Sequence, residues 1–174
     1  MKPIIGLVGP SGSGKTTLIM AMLNRFPNTL TPLKSLTTRP AREEQDKLFY
    51  NIVTKEKLRE LEHEGKLIQV SEYAGNLYAN DTEALLESLN QKAAIGALVE
   101  DGVRHFTEAG FNVITIKVIP EGAYVLDDTT RLAADTKRAE QPIEADFEII
   151  NSFDAGGLKT AITALAEAIE MINQ

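Results

Sequence analysis

Between Gly9 and Thr16 the chain reads Gly-Pro-Ser-Gly-Ser-Gly-Lys-Thr, which satisfies G-x-x-x-x-G-K-[ST] in full. Gly9, Gly12 and Gly14 allow the backbone, with Ser11 and Ser13, to curl so that successive N–H groups point inward at phosphate oxygens. A helix starting directly after the loop would add the positive end of its dipole. Lys15 is then placed to reach the β- and γ-phosphates, the Thr16 hydroxyl to ligate Mg²⁺, and Thr17 to add an α-phosphate contact. The chemistry implied is the binding of a nucleoside triphosphate, with phosphoryl transfer as its ordinary consequence.

A second cluster follows at Ser35-Leu36-Thr37-Thr38-Arg39-Pro40-Ala41-Arg42. Arg39 and Arg42 are three apart and flank a proline that stiffens the loop. Their planar, permanently charged forks suit a phosphate dianion, because each can present two parallel N–H bonds. They read either as an acceptor-phosphate clamp or as solvated surface charge. Glu100 and Asp101 end an apolar run and are open to two readings as well: a Mg²⁺-anchoring carboxylate, or acids facing the dipole of the next helix.

The elements that must hold these groups follow from periodicity. Ile4 to Val8 reads as a strand buried on both faces, followed by the glycine loop and a helix from Thr16 to about Arg25. Apolar runs at 93–99, 113–119 and 147–150 alternate with helical stretches at about 102–109, 127–139 and 158–173. That rhythm predicts an α/β fold, a three-layer α/β/α arrangement around a central parallel sheet. The middle of the chain departs from it. Short strands at 34–38, 49–53, 67–72 and 77–79, with a hairpin turn at Ala74-Gly75-Asn76, predict a small mixed or antiparallel lobe spanning about 33–80. Within it, 54–64 reads as a charged surface helix, and Asn80 with Glu83 as a capping-box start for a helix over 81–90. All of this fits one domain, 1–174.

Composition narrows the classes. With 174 residues and 43% apolar side chains the chain can bury a real core. A net charge of −7 argues against a broadly basic nucleic-acid face, so any phosphate site must be local. The absence of cysteine removes disulfides and thiolate metal sites, and neither a signal-peptide layout nor a long apolar span is visible. A cytoplasmic protein, monomer or homodimer, with small-molecule nucleotides as partners and neither nucleic acid nor membrane, is the expectation.

The P-loop, then Ser35 to Arg42, then Phe49-Tyr50-Asn51-Ile52-Val53, then Glu72-Tyr73-Ala74-Gly75-Asn76-Leu77-Tyr78, in that order, resembles guanylate kinase over most of the chain, from Ile4 to about Asn151. The resemblance implies that Arg39, Arg42, Tyr50 and Tyr78 hold the GMP phosphate and that Ser35 and Glu72 meet the guanine edge. It also implies that Asn80 stands where a hydroxyl near the base is usual, and that Asn151 borders the adenine. On residue type alone, Tyr50 and Tyr78 read first as lobe core with wet hydroxyls. The reaction implied is transfer from ATP, with Mg²⁺, to GMP or dGMP. It needs no general base, because the acceptor oxygen is already ionised near neutrality. Lys15, Arg39, Arg131 and Arg138 are the charges expected at the transferring group.

Three departures from the family pattern stand out. Gln45, with Glu44 beside it, occupies the position three after Arg42 where the family usually has an acid. The turn before Gly75 is shorter than usual. The long arginine-rich lid expected after Ile119-Pro120 is cut to a short segment within about 120–140, in which Arg131 and Arg138, seven apart, share one helix face or are merely solvated. Rival readings are a kinase of another monophosphate or of a sugar phosphate on the same scaffold, and a non-catalytic nucleotide-binding module of the same family. A regulatory GTPase is disfavoured by the lack of an N-K-x-D segment.

Overall fold

The computed structural model describes residues 1–42, 44, 46–122 and 144–172. The expected helix at about 127–139, with Arg131, Arg138 and most of the short lid, lies outside the described residues, as does Gln45.

Two sheets organise the chain. The first has five strands in the order β2 (Leu30–Pro32), β7 (Ala93–Ala97), β1 (Ile4–Val8), β8 (Val113–Glu121), β9 (Phe147–Ser152). Every pairing in it is parallel. Parallel neighbours need crossovers, and helices supply them on both faces, so the central strand is apolar throughout. Ile5 and Leu7 face one core with Leu18, Ile19 and Met22 of α1 (Lys15–Arg25) and Leu165 and Ile169 of α6 (Ala155–Ile172). Ile4 and Val8 face the other, with Leu85 and Leu89 of α4 (Thr82–Gln91) and Val103 and Phe106 of α5 (Glu100–Glu108). This is the three-layer arrangement expected. β2 was not expected: it has three residues, one of them proline, a length and composition that periodicity cannot register, and it occupies the edge where a missing N–H is tolerated.

The second sheet has the order β4 (Tyr50–Ile52), β3 (Ser35–Thr37), β6 (Asn76–Asp81), β5 (Leu67–Tyr73), with β3 and β4 parallel and the other pairs antiparallel. The short helix α2 (Asp46–Phe49) leads into β4, and α3 (Lys55–His63) is capped by Thr54, whose hydroxyl accepts from Lys57 N at 3.1 Å. The β5–β6 turn is tighter than the three residues expected. Ala74 and Gly75, with φ of 50° and 76°, are its two central residues, the left-handed pair that matches strand twist, and Asn76 already belongs to β6. A bulge between Ile68 and Ser71 inserts one residue on β5, so Ile68 opposes Asn80 and Ser71 opposes Tyr78 on one face.

Two expected boundaries need correction. Asn80 is a strand residue, and the N-cap of α4 is Asp81, which accepts from Ala84 N at 2.9 Å. α5 begins at Glu100 rather than about Gly102, which puts Glu100 and Asp101 in its first turn. No helix among the described residues is long and apolar enough to cross a membrane.

Candidate active site

The P-loop leaves the C-terminal end of β1, the place where parallel sheets open to ligands. Its glycines are required by backbone shape: Gly9, Gly12 and Gly14 have φ of 144°, 79° and 89°. Gly9 and Gly14 are also confined in space. A Cβ on Gly9 would run into the Val118 carbonyl, and one on Gly14 into the Asn151 amide. Gly14 is the N-cap of α1, so the helix dipole points at the loop. The Lys15 ammonium lies over the loop, 2.7 Å from both Gly9 O and Pro10 O and 3.3 Å from Ser13 Oγ. Thr16 is exposed on the cavity wall; Thr17 is exposed but does not line the cavity. Ser13 is fully buried within the loop.

A cavity of about 470 Å³ runs from this loop to the face of the second sheet. The arginine loop forms part of its wall. Thr37 Oγ1 donates to Leu77 O at 2.9 Å and accepts from Arg39 N at 3.1 Å, while Leu77 N donates to Thr38 Oγ1 at 3.0 Å. The Thr-Thr pair thus pins the loop to β6. Arg39 and Arg42 both line the cavity. Arg39 Nη2 lies 3.1 Å from Asp46 Oδ2, the same oxygen that accepts the Arg42 backbone N–H at 2.8 Å. The guanidinium is further fixed 4.8 Å above the Tyr50 ring, which meets Tyr78 edge-on at 6.1 Å. Burial raises the pKa of both phenols, against the opposing pull of Arg39, so each keeps its proton near neutrality and can donate to an anion.

Asp46 supplies an acid beside the arginines where the family pattern pointed to Gln45. The acid is present one position further on, at the start of α2, and it secures both arginines at once. Tyr73 was also missed. Its hydroxyl is 2.7 Å from Ser11 Oγ, a direct link between the second sheet and the phosphate loop.

Other expected site residues are placed elsewhere. Glu72 is exposed and does not line the cavity, because β5 alternates: Ser71 and Tyr73 point in, and Glu72 shares the opposite face with its partner Leu77. Glu100 and Asp101 do not line it either; Asp101 pairs with Arg104 one helical turn on. Both stand in the first turn of α5. Asn151 is 2% exposed and its amide donates to Ser13 O at 2.9 Å. This buried donor braces the phosphate loop, and Asn151 does not line the cavity. Ser35, Tyr50, Tyr78 and Asn80 do line the cavity with the arginines and the loop. Among the described residues no group of three or more His, Asp or Glu side chains could hold a metal ion.

The comparisons agree with this architecture. The family model described as guanylate kinase matches residues 1–171. A guanylate kinase from a Synechocystis strain is 29% identical over 162 residues, covering 85% of each chain. One from a Nostoc strain is 29% identical over 177 residues, covering 93% of this chain and 88% of its own. The crystal structure of guanylate kinase from Anaplasma phagocytophilum superposes with a TM-score of 0.68 at 22% identity, covering 99% of this chain and 85% of that one, and so shares its fold. The chain belongs to the guanylate kinase family.

Proposed function

We propose that the protein transfers the γ-phosphoryl group of ATP to GMP or dGMP, acting in the cytoplasm. The observation that supports this most directly is the sharing of one cavity by an intact P-loop and the Asp46-anchored arginine pair. Two anionic groups can be held there, one by each cluster.

The acceptor phosphate would take N–H bonds from Arg39 and Arg42 and O–H bonds from Tyr50 and Tyr78. Bidentate guanidinium forks fix its orientation, and neutral phenols add donors without adding charge. Lys15 would move from the loop carbonyls to the β- and γ-phosphates, where the loop N–H groups and the α1 dipole already favour negative charge. The Thr16 hydroxyl would help to hold Mg²⁺, which when bound would supply neutralisation of the charge that spreads over the transferring group. Arg131 and Arg138 are proposed to add to that neutralisation. Alignment and charge are then the whole of the catalysis, because the acceptor oxygen carries no proton that must be removed.

A coupled ADP-release assay with ATP, Mg²⁺ and GMP tests the proposal. Turnover is expected in the wild type, with loss of about a hundredfold or more in Lys15→Ala, the scale seen when a preorganised charge is removed. A wild-type chain that binds both nucleotides and releases no ADP would overturn the kinase reading in favour of a binding module.

A further inference from the structure

The end of the cavity remote from the arginines is built of neutral polar atoms on an apolar bed. Asn80 lies two residues beyond Tyr78 on the same face of β6, about 7 Å further along at ordinary strand rise. Its side-chain amide donates to Lys34 O at 2.7 Å and Ser35 Oγ at 3.1 Å. Both amide protons are thus engaged, which fixes Oδ1 as an acceptor. Ser35 Oγ accepts one of these bonds and keeps its own proton to donate. Ser71, opposite Tyr78, reaches Tyr78 O only at 3.5 Å. From α5, His105 lines the same cavity, and its Nδ1 is buried with no hydrogen-bond partner among the described residues.

Among the described residues no carboxylate joins this group. Among the described residues the one acid on the cavity wall is Asp46, engaged with Arg39. Glu72 is one residue out of phase. The two-residue turn at Ala74 and Gly75 sets the β5–β6 register, and a register shift of one would exchange the faces of Glu72 and its neighbours.

We infer that this base subsite does not read the 2-amino group of guanine, so that 6-oxopurine monophosphates with and without that amine are accepted nearly alike. The inference rests on the kinase reading given above. Guanine and hypoxanthine share O6 and N1–H and differ only at C2. A carboxylate facing the edge would take two charge-assisted bonds from guanine and one from hypoxanthine, and a site built on such a bond rejects the analogue that lacks it. Asn80 Oδ1 can take one N–H, which both bases offer at N1. The hydroxyls of Ser35 and Ser71 rotate to donate or accept and leave no fixed, buried charge unpaired when the amine is missing.

GMP and IMP are the probes, compared in the ADP-release assay with ATP and Mg²⁺. The expected result is a kcat/KM for IMP within about tenfold of that for GMP, below the discrimination of a site that hydrogen-bonds the distinguishing group. Glu72→Gln, on the exposed face, should leave KM for GMP within about twofold, as surface changes do. Asn80→Ala should raise KM for both nucleotides in parallel. A GMP preference well above tenfold, or a Glu72→Gln variant that loses GMP selectively, overturns the inference. If no ADP is released with either nucleotide, isothermal titration of the wild-type chain reads the subsite directly. Matched Kd values uphold the neutral subsite while the kinase reading fails, and selective GMP binding or no binding at all overturns it.

Discussion

Asp46 carries the residue-scale lesson. One carboxylate oxygen holds the Arg39 guanidinium and the Arg42 backbone together, with both partners of the ion pair mostly covered. A hydrogen bond to a charged group is worth about 1.5–3 kcal/mol, and leaving the arginine without its partner adds a desolvation penalty. Asp46→Asn keeps the shape and removes the charge. It should raise KM for the monophosphate by about tenfold or more while KM for ATP stays within about twofold, a split that steady-state kinetics reads directly. Equal effects on both nucleotides would mean that Asp46 supports the fold generally. In the sequence Arg39 and Arg42 were legible as a candidate phosphate clamp because their spacing and charge are local. Asp46 was not, because the family spacing pointed to Gln45, and the path of three intervening residues decides which side chain turns back to the arginines.

Elements show the same division between local and relational information. β1, α1 and the strands at the sheet centre follow from apolar runs and glycine punctuation, and the structure has them where periodicity put them. The register of β5 against β6 was not legible. It depends on a turn in which Ala74, a residue with a Cβ, accepts φ of 50°, and on a bulge that no composition signals. That register, more than residue type, decides whether Glu72 or Ser71 faces the cavity. Helix α6 started earlier than expected for a similar reason: its cap, Asp154, precedes two glycines that look like a loop. Asp154 Oδ1 accepts from Gly156 N at 2.9 Å and Gly157 N at 2.7 Å, and these backbone bonds, Gly157 foremost, lower its pKa below the usual 3.8. A depressed folded-state pKa stabilises the fold above the unfolded value, and the contribution is lost as pH falls through the folded value. Asp154→Ala should therefore melt a few degrees below wild type at pH 7, measured by circular dichroism, and the gap should close as the pH drops well below 3.8. A gap that persists unchanged in acid would show that the capping charge is not the cause.

For the molecule as a whole, the arrangement to explain is a pair of sheets that meet across one cavity, with Phe49 and Ile68 of the lobe packed into the two cores of the parallel sheet. The phosphate loop grows from the parallel sheet and the arginine loop from the mixed one, and Ser11 with Tyr73 is a direct bond between loop and lobe. Two cation clusters in a chain of net charge −7 also make the cavity the natural destination for phosphate. If the two halves act as separate binding sites, each nucleotide should stabilise the protein by mass action through its own cluster. A ligand at 100 times its Kd adds about 2.7 kcal/mol, which for a chain of this length shifts Tm by roughly 5–10 °C. Lys15→Ala should abolish the shift given by ATP and retain that given by GMP. Arg42→Ala should do the reverse, and because Arg42 is exposed its own Tm without ligand should match wild type. Differential scanning fluorimetry on the three proteins distinguishes the outcomes. Loss of both shifts in either variant would mean that the clusters form one inseparable site, with the loop and the lobe ordered by either nucleotide only when both sets of cations are present.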